Sequence, residues 1–279
     1  MTVLSSTRPY WIIAGLLACS PAFGATIQQQ NFINAVFEDL LGRPADSGAV
    51  AYYSSQLDMG ATDFDVAYSV DTSSEYYGGL VGSYYESYLH RMADPSSIAF
   101  VNSLVGGAAD AAVEAIILGS DEYFNTRGGG DNTTFLNALY EDLLGRPADP
   151  GALATFLPLL NGSTSRSQVA AIVLASNEYD HDLVNSYYER FLGRAADAGS
   201  AGFVTELSLG TTDETVIAQI LGSAEFFGLA QTQADAPAQA PEPGSLAPLG
   251  LGAVLVIAGT RGRRRRMSTS KMPRGSSSF

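Results

Sequence analysis

The residues best placed to do chemistry are four arginine–aspartate pairs: Arg43 with Asp46, Arg91 with Asp94, Arg146 with Asp149 and Arg194 with Asp197. Such a periodic stripe of guanidinium and carboxylate groups could bind a polysaccharide or a cation. The structural alternative is that the arginine offsets a helix macrodipole and the aspartate caps the next helix. Every unit needs that turn, so the recurrence favours the structural reading. Other candidates carry less. Glu38-Asp39 and Glu141-Asp142 are adjacent carboxylates, but helical neighbours diverge by about 100° and do not converge on one bond. Together with Asp121-Glu122 and Asp213-Glu214 they read as solvated faces. His90 and His181 stand 91 residues apart, and no paired histidine or cysteine spacing, nucleophile elbow, phosphate loop or EF-hand loop occurs. The chain is therefore expected to carry no catalytic residue, no cofactor and no metal site. Among fourteen tyrosines, Tyr52-Tyr53, Tyr76-Tyr77, Tyr84-Tyr85 and Tyr187-Tyr188 form pairs. An aromatic face with a polar tip suits sugar, and one member of each pair is expected in the core with its neighbour at a helix edge.

These residues ride on an internal repeat. Glu38 to Asp46 recurs unchanged as Glu141 to Asp149, and Ser83-Tyr-Tyr-Glu86 as Ser186 to Glu189, both at an offset of 103. Each half is itself double, because the four arginines are spaced 48, 55 and 48. The extra residues fall at Gly128-Gly129-Gly130, read as a loose hinge between halves 25–127 and 131–230. Within a unit the pattern is helical: Phe32, Ala35, Val36 and Leu40 make one buried stripe, and Val66, Ala67 and Val70 another. Gly42 suits a left-handed helix end, while Ser73, Ser120, Ser176 and Ser223 cap further helices with a glutamate in the first turn. Strand-like alternation is absent. The expected fold is all-α, four tandem helical units of about 48 residues in two duplicated halves.

The sequence of a hydrophobic-aromatic helix, Leu-Leu-Gly-Arg-Pro-x-Asp, two more helices and Ser-x-Glu-Tyr resembles the bacterial domain of unknown function 4214 family, over about residues 31–228. The resemblance implies a helical module of bacterial surface and secreted proteins and supplies no catalytic residues. The second unit departs from the pattern, with His90 in place of the turn glycine and Met92 in place of the proline.

Both termini read as addresses. Arg8 precedes a short apolar run, and Ala22-Phe23-Gly24 fits a small-x-small signal-peptidase site, with the cut after Gly24 (residues 1–24). An acylated Cys19 is the competing reading. At the other end a linker (231–244) carries Pro241-Glu242-Pro243, followed by an apolar segment (245–260) and a basic tail (261–279). That tail holds Arg261, Arg263, Arg264, Arg265 and Arg266, which resist crossing the bilayer. At about 1.5 Å per residue the segment reaches only ~24 Å of a ~30 Å hydrocarbon core, which suits brief retention in the membrane. Those residues resemble the PEP-CTERM sorting signal of Gram-negative bacteria. The resemblance implies an exosortase as processing partner and release or anchoring at the cell surface. The 13 residues after the arginines, Met267 to Phe279, depart from that pattern.

Between the signals, residues 25–240 hold 28 carboxylates against seven arginines and no lysine, a net charge of −21. Such a surface repels nucleic acid and anionic lipid. It suits solubility outside the cell and could attract divalent cations or cationic polymers. The expected role is a structural or adhesive component of the surface or matrix, with exopolysaccharide or a cell-surface glycan as partner. A glycan-binding or enzyme-accessory module is the alternative.

Overall fold

The computed structural model describes residues 25–234. The expected signal peptide, the apolar segment, the arginine tail and residues 235–244 of the expected linker lie outside the described residues. Residues 231–234, expected as the start of that linker, instead continue the last helix. Among the described residues no helix is long and apolar enough to cross a membrane.

Fourteen α-helices and two 3-10 turns account for the described fold, which is all-α, with no strand among them. Each unit contributes a long first helix, a second helix packed beside it, and a short third helix that leads into the next unit. The first unit comprises α1 (Ile27–Leu41), α2 (Ser47–Asp58) and α3 (Asp63–Asp71). Then α4 (Ser74–Leu89) opens the second, which continues through α5 (Ile98–Val105), α6 (Asp110–Leu118) and the short α7 (Asp121–Thr126). The second half repeats the plan with α8 (Asn132–Leu144), α9 (Pro150–Leu160) and α10 (Arg166–Leu174). It ends with α11 (Asn177–Leu192), α12 (Ala201–Ser208), α13 (Asp213–Leu221) and α14 (Ala224–Ala234). The predicted stripes are the core: Phe32, Val36, Val66, Ala67 and Val70 are buried, as are Phe135, Leu139 and Leu143 in the third unit. Full burial of such a side chain contributes roughly 1.5–3 kcal/mol.

The first helix of each unit ends the same way. Gly42, Gly145 and Gly193 adopt φ of 67°, 63° and 65°, the left-handed conformation that closes a helix. His90 occupies the fourth such position at φ 52°, where a Cβ is strained.

The halves do not stand apart. Helix α3 of the first unit packs along α13 of the fourth, and α6 of the second packs along α10 of the third. Helix α14 returns to α1. Residues 103 apart occupy matching places, so the arrangement has a pseudo-two-fold axis. Phe32 meets the rings of Phe226 and Phe227 at 6.2 and 5.9 Å, as Phe135 meets Tyr123 and Phe124 at 6.0 Å each. The ends of the described chain also touch, with Asn31 Nδ2 donating to Gln231 Oε1 at 3.1 Å.

The helix crossings are tight enough to specify glycine. A Cβ on Gly119 would lie 2.4 Å from the backbone nitrogen of Ser167, and one on Gly222 would lie 2.8 Å from that of Phe64. The matching positions of units one and three are Thr72, which is half-buried, and Ala175, which is exposed.

Gly128-Gly129-Gly130, expected as a loose hinge, is a packed turn. Gly128 N and Gly130 N donate to Tyr123 O and Phe124 O at 2.8 and 2.9 Å. A Cβ on Gly128 would come within 2.9 Å of Phe124 O. Arg127 beside it is tied to Asp142 at 2.7 Å. The extra residues reset the chain so that α8 can begin the second half against α7.

Candidate functional site

Charged residues gather in two settings, the turns at the rim and the centre where the halves meet. At the rim each turn arginine is held by a glutamate 31 or 32 residues later. Arg43 grips Glu75 through Nε and Nη2 at 2.6 and 2.7 Å, Arg91 grips Glu122 at 2.5 and 2.7 Å, Arg146 grips Glu178 at 2.7 Å twice, and Arg194 grips Glu225 at 2.6 and 2.7 Å. The planar guanidinium matches the carboxylate as a two-pronged fork. Its remaining Nη1 donates to the carbonyl of the following residue: Pro44, Met92, Pro147 or Ala195. Its flat face lies 4.8–5.4 Å over the ring centres of Phe37, Tyr85, Tyr140 and Tyr188. Those glutamates, each with the adjoining guanidinium as its hydrogen-bond donor, are held below the usual carboxylate range.

The aspartates of the same turns act locally. Asp46 accepts from Ala49 N at 2.8 Å, Asp94 from Ser96 N at 2.9 Å, Asp149 from Ala152 N at 2.9 Å and Asp197 from Gly199 N at 2.8 Å. Asp94 and Asp197 cap the 3-10 turns Pro95–Ser97 and Ala198–Ser200 that precede α5 and α12. Asp94, Asp149 and Asp197 also reach their arginine at 3.2, 3.3 and 2.9 Å. Most donors of each arginine are thus engaged within the protein. The Arg–Glu clamp ties the turn that ends one long helix to the cap of the next. In the sequence its glutamate suggests only a helix-dipole role, because the partner lies 31 or 32 residues away.

The centre is different. A cavity of about 330 Å³ lies between α4, α6, α8, α11 and α13, where the two halves face each other. Tyr76 and Tyr84 line one side, and Tyr179 and Tyr187, their equivalents at the 103-residue offset, line the other. Asp110 and Asp213, again equivalents, enter from the first residues of α6 and α13. Glu114 joins them and accepts hydrogen bonds from Tyr88 and, at 3.3 Å, from Tyr179. Behind the cavity wall Glu214 accepts from Tyr77 at 2.9 Å.

Burial is the dominant influence on these acids. It raises Glu114 to about 7 against the opposing tyrosine hydrogen bonds, and raises Asp213 to about 7 with Glu214 adding to the effect. Asp110 is pushed far up by burial and by the charges of Glu214 and Asp213. Asp71, fully buried at the end of α3, is pushed well up for the same reasons. Both Asp71 carboxylate oxygens and Asp110 Oδ1 lack a hydrogen-bond partner. Leaving a polar atom buried and unpaired costs stability.

Three expectations change here. Asp213-Glu214 is no solvated face: Glu214 is buried, and Asp213 is half-buried on the cavity. In the adjacent pairs Glu38 and Glu141 are exposed, but Asp39 and Asp142 turn inward. Burial raises Asp39 to about 6 against the pull of Arg190, and Asp142 accepts from Tyr123 Oη at 2.7 Å. Both members of Tyr76-Tyr77 and of Tyr84-Tyr85 are buried, and Tyr52 and Tyr68 are the exposed tyrosines among the described residues. The signal for Glu114 was its place inside the apolar run Ala111 to Leu118. Asp71 carried no comparable signal, since a third helix ending in aspartate looks like any solvated end.

The fold and the two sites define a closed, all-α helical-repeat protein in which a duplicated pair of units completes itself. Two stretches of the chain, residues 16–78 and 114–183, match the model of a family described as a domain of unknown function (DUF4214). They cover equivalent parts of the two halves and support the repeat reading. The match is narrower than the expected 31–228 and leaves most of units two and four outside. No curated protein and no solved structure matched the chain.

Proposed function

We propose that the chain is an exported, non-enzymatic helical-repeat protein that serves as a structural or adhesive component of the cell surface or extracellular matrix. The observation that carries this reading is the pairing of two terminal signals around one acidic helical module. Ala22 to Gly24 would release the chain from the signal peptide. Pro241-Glu242-Pro243, the apolar segment and Arg261 to Arg266 would hold it for an exosortase and then let it go. A surface of this charge favours solubility outside the cell. Exopolysaccharide or a cell-surface glycan is the proposed partner, with the membrane engaged only before processing. Intact-mass analysis of surface and secreted fractions tests the route. Material lacking both Met1 to Gly24 and the arginine cluster supports it, and a surface form that keeps Met267 to Phe279 overturns it. A glycan array then tests the partner.

A further inference from the structure

The central cavity has features that the export reading does not use. Its walls are tyrosine rings and the side chains of Leu80, Leu143 and Leu183. Three carboxyl groups, Asp110, Glu114 and Asp213, share it, and none of the ion pairs among the described residues includes them. Arg190 borders the cavity, but its guanidinium donates to the Asp39 carbonyl and lies 5.0 Å from the Phe191 ring centre. Asp142 is already neutralised by Arg127. Asp110 is decisive: it is 7 % exposed, lines the cavity, and its Oδ1 meets no donor.

We infer that this cavity binds a small organic cation, its ammonium head set against Asp110 and its alkyl groups against the tyrosine and leucine walls. The pieces are complementary. An ammonium group would draw Asp110 from its neutral into its charged form, and at low dielectric the resulting pair is stronger than it would be in water. Tyrosine ring faces add cation–π attraction, the means by which aromatic cages hold quaternary ammonium groups. The volume falls within the ~300–1,000 Å³ of ordinary small-molecule sites. Other ligand classes fit less well. An anion would face three carboxyl groups. A divalent ion needs several converging ligands, and no three His, Cys, Asp or Glu side chains are grouped to supply them among the described residues.

Titration calorimetry of the purified chain with choline, and with its uncharged isostere 3,3-dimethyl-1-butanol at matched ionic strength, tests the inference. Choline should bind saturably at one site, at least about tenfold more tightly than the alcohol. Asp110→Asn should weaken choline by about tenfold or more with its circular dichroism unchanged, while Asp46→Asn at the rim leaves binding as it was. Should Asp110→Asn fail to fold, methyl resonances of the unaltered chain provide a second reading. Choline should then shift Leu80 and Leu183 and leave Leu57 and Leu160 in place. Absence of saturable choline binding, equal affinity for the alcohol, undiminished binding by a folded Asp110→Asn, or shifts elsewhere would each overturn the assignment.

Discussion

The rim and the centre of this molecule use the same residue type, a carboxylate, in opposite ways. At the rim Glu75, Glu122, Glu178 and Glu225 are partly exposed, gripped by arginine and held in the charged form. At the centre Asp110, Glu114 and Asp213 meet no basic partner and burial favours their neutral form. Their periodicities differ in step. The clamp recurs four times, once per unit, because every unit must close the same turn. The helix crossings at Gly119 and Gly222 recur twice, once per half, because they exist only where halves meet. Glu114, Glu214 and Asp71 occur once: their 103-residue equivalents are Ile217, Ala111 and Leu174. How often a residue recurs thus reports which level of the structure requires it.

The sharpest way to break this ordering is to fill a crossing. Gly119→Val places side-chain atoms where Ser167 backbone already lies, and backbone cannot yield as a side-chain tip can. The expected loss is about 3 kcal/mol or more, read as a lowered denaturant midpoint. Ala175→Val, at the exposed equivalent position, should cost much less. An equal loss at both sites would remove the distinction between unit-level and half-level positions.

The centre predicts an unusual dependence on pH. A group whose folded pKa is raised contributes stability that is fully present below its unfolded value, and that contribution is lost as pH rises through the folded value. Asp39 is raised to about 6, and Glu114 and Asp213 to about 7, so the loss begins near pH 4, the ordinary carboxylate range, and runs to about pH 7. Asp110 extends it to higher pH. The clamps act with the opposite sign: their lowered glutamates lose stability as pH falls through about 4, by a smaller amount because solvent screens them. Stability should therefore peak near pH 4 and drop by roughly 3 kcal/mol or more by pH 8, read as a lowered melting temperature. A flat or rising profile over that window would mean that water or a counter-ion reaches the central acids.

At the rim single changes should be mild. Asp149→Ala removes a cap bond and should cost about 1 kcal/mol. Arg146→Ala opens one clamp and should cost at most about 1 kcal/mol, less in high salt. Loss of attachment to cells or matrix without loss of stability would instead identify the turns as a binding stripe. The smallest effect is a gain. His90→Gly relieves the left-handed strain at φ 52° and should stabilise by about 0.5–1 kcal/mol.

What the sequence disclosed follows the same hierarchy. Four-fold features were legible, since the spacing of Arg43, Arg91, Arg146 and Arg194 set the unit and the apolar stripes set the helices. The two-fold features were visible, but not what they do. Gly119-Ser120 and Gly222-Ser223 recur at the offset of 103, yet nothing local says that a glycine touches a helix of the other half. Triple glycine at 128–130 suggested looseness because its hydrogen bonds to Tyr123 and Phe124 depend on tertiary packing. The single features were hardest. An acid pair such as Asp213-Glu214 looks solvated until another half covers it. Closure of the repeat, and with it the cavity, depends on contacts at long sequence separation that periodicity cannot express.

The claim on which the rest depends is that the halves complete each other. Sedimentation and circular dichroism of the isolated fragment 25–127 test it most directly. Alone, the fragment exposes the faces of α3 and α6 that α13 and α10 cover in the whole chain, α1 loses α14, and Tyr123 and Phe124 of α7 lose Phe135 of α8. It should be either largely unfolded as a monomer or folded as a symmetric dimer, in which α3 of each copy packs along α6 of the other. A folded monomer with a cooperative melt would contradict the account, and would show that each half carries a sufficient core of its own.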